Sequence, residues 1–428
     1  MRDIVITLIV IGSLPLMLKR PYIGILMWVW ISIMNPHRLS WGFAYDLPFA
    51  QVIAVATFAG LFFKQGRLRF IWSGPTVLLL LFICWMSVST LFALVPESAN
   101  AQWMTVIKIM LMIFVTIVAI EGPRQIELLV WALVISLGFY GVKGGLFTLM
   151  GGATDKVFGP PNSYIEENNA LAMALLMTVP LIWYLRSRTS KNWVRLAMMG
   201  AIVLCLLSAL GSYSRGALLA LVPMVGFLWL KSRQKATLAI AIILLAPLGI
   251  GFMPAKWFDR MNTISTYDQD ESALGRLNAW QTAFNVAKDR PLVGGGFQLY
   301  EPKVFMRYSP EPDNIHAAHS IYFAALGEHG FVGLGLFLLF GIATWRTASW
   351  NARHSKNVTE LRWVYDLSLM IQVSIVAYAV GGAFLSVLYF DLPYYLMAIV
   401  VLMKREVQNA LAQKAEPTVT SASSVATL

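Results

Sequence analysis

A few side chains in the second half of the sequence are of types that handle anions and protons, and they fall at the borders of long apolar stretches. They are Arg215 in Gly211-Ser212-Tyr213-Ser214-Arg215-Gly216, Arg276 in Gly275-Arg276-Leu277-Asn278-Ala279-Trp280, His316 and His319 in Asn314-Ile315-His316-Ala317-Ala318-His319-Ser320, and Glu328. A guanidinium offers a planar fork matched to phosphate, and an imidazole takes a proton from a hydroxyl near neutral pH. Each residue also has a plainer use. Arg215 serves equally as an interface anchor with its stem along apolar surface, and Arg276 as part of a solvated helix face. Arg260 and Arg290 are further basic candidates in the same region. His316 and His319 share a face if the chain is helical there, which allows a metal pair with a third ligand from Asp268, Asp270 or Glu271. That acidic cluster lacks a calcium-loop spacing and reads as a solvated turn, so no metal and no cofactor is expected, and a single imidazole base is the simpler use. Glu328 follows His319 by nine residues, about 900° and about 13 Å along an ideal helix, so it lies on the opposite face and needs a partner of its own. Lys108 or Lys143, each inside another apolar stretch, is the expected one. The run Pro291-Leu292-Val293-Gly294-Gly295-Gly296-Phe297 lacks the strand-to-helix context of a nucleotide fingerprint.

The elements that must carry these residues are membrane spans. The 428 residues are 58% hydrophobic and 13% charged, where soluble domains average about a quarter charged. Apolar stretches fall at about 3–18, 21–34, 47–63, 75–93, 104–120, 126–149, 168–185, 196–211, 214–230, 236–253, 318–345, 365–387 and 392–403. The first two are short and meet at Lys19-Arg20-Pro21, so twelve or thirteen spans are expected, in an all-α polytopic bundle. The net charge of +11 then marks cytoplasmic loops rather than nucleic-acid binding. Alternate connections hold twenty Lys and Arg residues, including Arg67, Arg69 and Arg233, against Arg2, Arg38, Lys156 and Arg215 in the others. The richer set is assigned to the cytoplasm. Trp30, Trp41, Trp103, Trp193, Trp257 and Trp363 fall near span ends, as headgroup anchors would. Cys84 and Cys205 lie in apolar runs and read as small hydrophobes.

Four regions result: spans over 1–253, an outward loop over 254–317, the last spans over 318–404 and a cytoplasmic tail over 405–428 whose end, from Glu416, reads as disordered. Within the loop, Leu274, Leu277, Trp280, Phe284 and Ala287 recur at helical intervals before Pro291, which predicts an amphipathic helix on the membrane surface.

In order along the chain, Ser214-Arg215-Gly216-Ala217, Gly275-Arg276 with Trp280, Pro291-Leu292 to Gly296, and His319-Ser320 with Glu328, Gly330 and Gly333 resemble the O-antigen ligase and polymerase superfamily. Met34-Asn35-Pro36-His37-Arg38 with Trp41-Gly42-Phe43 resembles the O-glycosylation ligases of exosortase-containing bacteria, a naming that leaves the acceptor open. The resemblance implies an inner-membrane glycosyltransferase with about a dozen helices and a large periplasmic loop. It implies a donor glycan on undecaprenyl diphosphate and a hydroxyl acceptor on lipid A-core, on another glycan or on protein. By the same resemblance Arg215 and Arg276 contact the diphosphate, His319 is the essential histidine, and Asp391 corresponds to a further family position. Ser320 stands where the family often has Asn. Lipid A-core is the leading acceptor, by a metal-independent and inverting transfer. The rival from another class is a lipid-linked glycan transporter, which would place its binding charges near the membrane midplane.

Overall fold

The computed structural model describes residues 1–64, 70–232, 235–262 and 271–415. Arg67, Arg69, Arg233, Asp268, Asp270 and the tail from Glu416 lie outside the described residues. The order is α1 (Arg2–Lys19), α2 (Pro21–Val29), α3 (Phe49–Phe63), α4 (Gly74–Leu91), α5 (Pro96–Ala119), α6 (Gly122–Met150), α7 (Asn168–Arg188) and α8 (Asn192–Gly211). There follow α9 (Arg215–Lys231), α10 (Lys235–Gly251), α11 (Ala255–Asn262), α12 (Glu271–Asp289), α13 (Pro302–Tyr308), α14 (Ile321–Ser355), α15 (Arg362–Gly381) and α16 (Asp391–Ala415). No strand occurs among the described residues. All thirteen apolar stretches are helical. Seven described helices are both long and apolar enough to cross a bilayer, which makes the chain a multi-pass membrane protein. The others fall short for identifiable reasons: α9 and α10 have 17 residues, and α1 and α16 carry three or more charges over an 18-residue window.

Small residues set the helix spacing. Gly141, Gly144 and Gly145 of α6 face Cys205, Ser208 and the Leu204 backbone of α8, so these two helices meet almost backbone to backbone, as membrane helices do without a hydrophobic drive between them. Cys205 is buried in that contact, whereas Cys84 is exposed on α4. α7 and the apolar half of α16 form the interior, with Tyr184, Tyr394 and Tyr395 fully buried. The ends sort into two groups. Lys64 pairs with Glu121 at 2.8 Å and Arg405 bonds the Ile120 carbonyl, gathering connections of the basic-rich set at one end. At the other, Asn162 bonds Tyr45, Asn168 bonds the Ser212 carbonyl and Tyr213 bonds the Ala153 carbonyl.

One expectation is corrected here. Trp41 and Trp193 are exposed, but Trp257 and Trp363 are buried, and Trp257 donates to the Leu210 carbonyl, fastening α11 to the end of α8. The amphipathic helix expected in the loop exists as α12, and the face it turns to the protein is Gly275, Asn278, Ala279, Thr282, Ala283, Val286 and Ala287. Leu274, Leu277 and Phe284 are exposed instead. Small residues let α12 lie close against α14, where Gly327 leaves room for Ala283, and that packing decides the register over the larger apolar residues.

Candidate functional site

α12 brings Arg276 to His319. Asn278 donates to the carbonyls of Glu311 and Asn314, both at 2.9 Å, and its own oxygen accepts from Ser309 and the Glu311 amide. Those bonds lash the 309–314 turn to α12. Two residues further on, Trp280 donates to the Ala318 carbonyl at 2.6 Å and stacks on Phe323, with ring centroids 4.8 Å apart. His319 is therefore held from both sides. Its backbone is left-handed, φ 42°, a conformation that non-glycine residues seldom adopt, and Ser320 caps α14 by accepting from the Phe323 amide. The His316/His319 pair that a helix there would allow does not form, because α14 starts only at Ile321 and the backbone turns at His319. His316 instead lays its ring over Gly275, where a Cβ would lie 2.7 Å from Nδ1. The glycine before Arg276 is there to admit that imidazole.

His319 is half-buried, and the Ser386 hydroxyl lies 3.1 Å from its Nδ1. With Nδ1–H donating to Ser386, Nε2 carries the lone pair. Loss of hydration is the larger cause that holds His319 down at about 4, with the Arg276 cation and His316 adding to it. The ring is neutral at physiological pH and ready to accept a proton.

Arg215 starts α9, capped by Ser214, whose hydroxyl accepts from the Ala217 amide at 3.2 Å. A cation at a helix N-terminus opposes the helix dipole, so helix stability does not account for an arginine there. Gly216 presses against Phe384 and Leu385. Phe384 in turn faces Trp280 at 6.5 Å, and Ser386 meets His319. The link between α15 and α16 is thus the hub on which the α9 start, α12 and His319 converge. Sequence reasoning passed over Phe384 and Ser386, which carry no recognisable signal in a run of apolar residues.

Below the hub, α14 is broken. Gly330 has φ 70°, ψ −172°, open only to glycine, and a Cβ there would strike the Leu292 carbonyl. A break inside a membrane leaves backbone groups unsatisfied, and the Pro291–Phe297 strip supplies the missing partners. Gly295 and Gly296 amides donate to the Gly327 and Glu328 carbonyls, both at 2.8 Å, and the Phe331 amide donates to the Pro291 carbonyl at 2.9 Å. Gly294, φ 62°, lies so near that a Cβ would sit 2.5 Å from the Gly327 carbonyl. The glycine run is a backbone plug rather than a ligand loop. Trp85 donates to the His329 carbonyl at 3.0 Å, closing the same break from α4.

Glu328 is paired here, and not with lysine. Its carboxylate accepts from Tyr389 and from the Gln298 amide at 3.2 Å, while Lys108 and Lys143 are exposed. The break in α14 brings in the Gln298 strip and Tyr389, partners that ideal-helix geometry could not supply. His329, unremarked in the sequence, is fully buried with both ring nitrogens engaged: Nδ1 is 2.6 Å from the Ser89 hydroxyl and Nε2 is 2.7 Å from Tyr389.

The remaining candidates lie apart from His319. Arg290 donates to the Phe92 carbonyl at the end of α4, a helix C-terminus where a cation is favourable. Arg260, on α11, lies by Lys156. Asp391 is buried at the start of α16, beside Tyr164 and Tyr395, where a carboxylate suits the helix dipole.

Residues 200–338, which hold Arg215, Arg276 and His319, match the family described as O-antigen ligase. This segment is an O-antigen ligase-family domain. The match over this segment supports a membrane glycosyltransferase activity of ligase-like or polymerase-like kind. Residues 1–190 match a family of unknown function, DUF5935. No curated protein matches the chain.

Proposed function

We propose that the protein transfers an O-antigen or related glycan from undecaprenyl diphosphate to a hydroxyl of lipid A-core, on the periplasmic side of the bacterial inner membrane. One observation carries the proposal: a neutral imidazole, held in a strained backbone beside Arg276, shares a hub with the helix that Arg215 begins. A lipid diphosphate is a good leaving group, so catalysis needs only to stabilise its departing charge and take the acceptor's proton. Arg215 and Arg276 do the first and His319 Nε2 the second. A single displacement by the deprotonated hydroxyl inverts the anomeric carbon and draws on no divalent ion. The supporting topology has about a dozen crossings, with the seven long helices joined by the shorter apolar ones, and the 254–317 segment outside. The sorting of basic connections to one end supports that orientation.

The test is reconstitution in proteoliposomes with one lipid-linked glycan and three separate acceptors: lipid A-core, a second lipid-linked glycan, and a protein. Transfer to lipid A-core in EDTA is the expected result. Transfer only to glycan makes the protein a polymerase, and transfer only to protein an O-oligosaccharyltransferase. Orientation is read independently: a cysteine replacing Asp313 should react with an impermeant maleimide in intact spheroplasts, and one replacing Thr189 should not.

A further inference from the structure

A polar cavity opens near the start of α9, on elements that the transfer chemistry above does not use. It has a volume of about 300 Å³ and is lined by Thr154, Asp155, Lys156, Phe158, Tyr213 and Lys256. That is the lower end of the roughly 300–1,000 Å³ typical of small-molecule sites. Its walls come from two places in the chain: the 154–158 segment after α6, and the start of α11. Tyr213 ties them together, its hydroxyl donating to the Ala153 carbonyl at 2.6 Å while its ring packs with Met253 and Trp257. Tyr213 is two residues before Arg215, so the cavity lies near the start of α9.

Cations gather here against their mutual repulsion. Arg260 stands one helical turn from Lys256 on α11, and both, after loss of hydration, hold Lys156 below its ordinary proton affinity. Lys156 and Lys256 both line the cavity, so an anionic group entering it would meet both. A bare phosphate does not account for the rest of the lining. Asp155 would repel it, and the largely exposed Phe158 ring, 59% accessible, would be wasted on it. A sugar uses all of these groups. Its hydroxyls donate to a carboxylate such as Asp155, its C–H face lies on an aromatic ring, and a carboxylate or phosphate substituent meets the lysines.

We infer that the cavity is a saccharide subsite taking an acidic sugar residue, with Asp155 and Thr154 reading hydroxyls, Phe158 supporting the ring, and Lys156 and Lys256 binding its anionic substituent. Such a sugar has two sources, the donor glycan and the phosphorylated core of the acceptor, and naming those two rests on the glycosyltransferase proposal above. The subsite itself does not.

The experiment uses the full-length protein in nanodiscs and three soluble probes: a trisaccharide of galacturonic acid, its carboxyl-reduced neutral counterpart, and inorganic phosphate, titrated by calorimetry. The acidic trisaccharide should bind about tenfold more tightly than the neutral one, and Lys156→Gln and Lys256→Gln should each weaken it by about tenfold. Asp155→Asn should weaken both trisaccharides alike. An unchanged thermal melt for each variant ensures that a lost signal is not lost folding. Equal binding of the two trisaccharides, or wild-type affinity in the double lysine variant, overturns the inference. So does full displacement of the trisaccharide by equimolar phosphate, which would make the cavity a phosphate site. In transfer assays the lysine variants should raise the KM of one substrate alone, and which one identifies the source; unchanged KM for both removes the cavity from the reaction. The two proposals fail separately: a protein that binds the acidic trisaccharide through these lysines but transfers nothing keeps the subsite and loses the transferase, and the reverse result does the opposite.

Discussion

Two histidines ten residues apart face opposite demands. His319 sits above the first turn of α14, half-exposed, on a left-handed backbone, with a hydroxyl at Nδ1. His329 sits at the break, fully buried, with a hydroxyl at each nitrogen. The Ser89 hydroxyl lies 2.6 Å from Nδ1 of His329, and Tyr389, which donates to Glu328, lies 2.7 Å from Nε2. An imidazole whose nitrogens are both committed is a fastener, while one with a nitrogen to spare is a reagent. Side-chain type does not separate them, and the number of ring atoms already spoken for does.

That contrast is most easily broken by deletion. His319→Ala should lower transfer on the order of a hundred- to ten-thousand-fold with normal membrane abundance and unchanged donor binding. Near-normal transfer, or a defect confined to donor affinity, would reduce His319 to a binding residue. Next in size, Arg276→Lys and Arg215→Lys keep the charge but lose the fork, and should each cost about ten- to a hundredfold in transfer; wild-type rates in both would end the diphosphate assignment. His329→Phe should act on stability instead, by about 1–3 kcal/mol, because Ser89 and Tyr389 lose a buried partner. Its signature is a lowered melting temperature with transfer per folded molecule reduced far less than in His319→Ala.

A finer probe is the titration of His319, followed by NMR of labelled histidine. Its proton affinity is depressed from the usual 6.5 to about 4, so between those values the unfolded chain binds a proton that the native chain refuses. Native stability from this group is therefore full above pH 6.5 and is lost as pH falls toward 4. Activity limited by His319 should hold from neutral pH to about 5 and fall only near 4. Pyrophosphate bound at Arg276 should move the titration upward, since it offsets the second of the causes, and no movement would separate Arg276 from the anion site. The smallest effect is expected of Gly275→Ala, which obliges the exposed His316 ring to move aside and should cost transfer a few-fold at most.

The helices were legible because a bilayer imposes length and apolarity on each, and Lys and Arg betray the ends. Arg215, Arg276 and His319 stand out as residues too polar for their borders, and the structure sets Arg276 beside His319. The face on which α12 packs was not legible, because Gly275, Ala279 and Ala283 are too small to carry a hydrophobic signal beside Leu274, Leu277 and Phe284. Nor were the partners of Glu328: Tyr389 and Gln298 reach it only because α14 is interrupted at Gly330, and a lone glycine in an apolar stretch does not announce a break. Ser386 is polar but lies in a link whose path depends on how α15 ends.

The plug at Gly330 also has a consequence for biosynthesis. Residues 291–298 leave the ribosome before α14 does, yet their amide partners are the Gly327 and Glu328 carbonyls, which do not exist until α14 has been made and inserted. The strip must therefore wait, tethered to Leu94 at the end of α4 through the Gly295 carbonyl, for a helix that arrives later. Assembly of the 291–298 strip is a late event in the maturation of this protein, and pulse-chase proteolysis should find it protected only after α14 is complete. A chain truncated before Gly327 would present that strip, glycines exposed, to the quality-control proteases of the membrane.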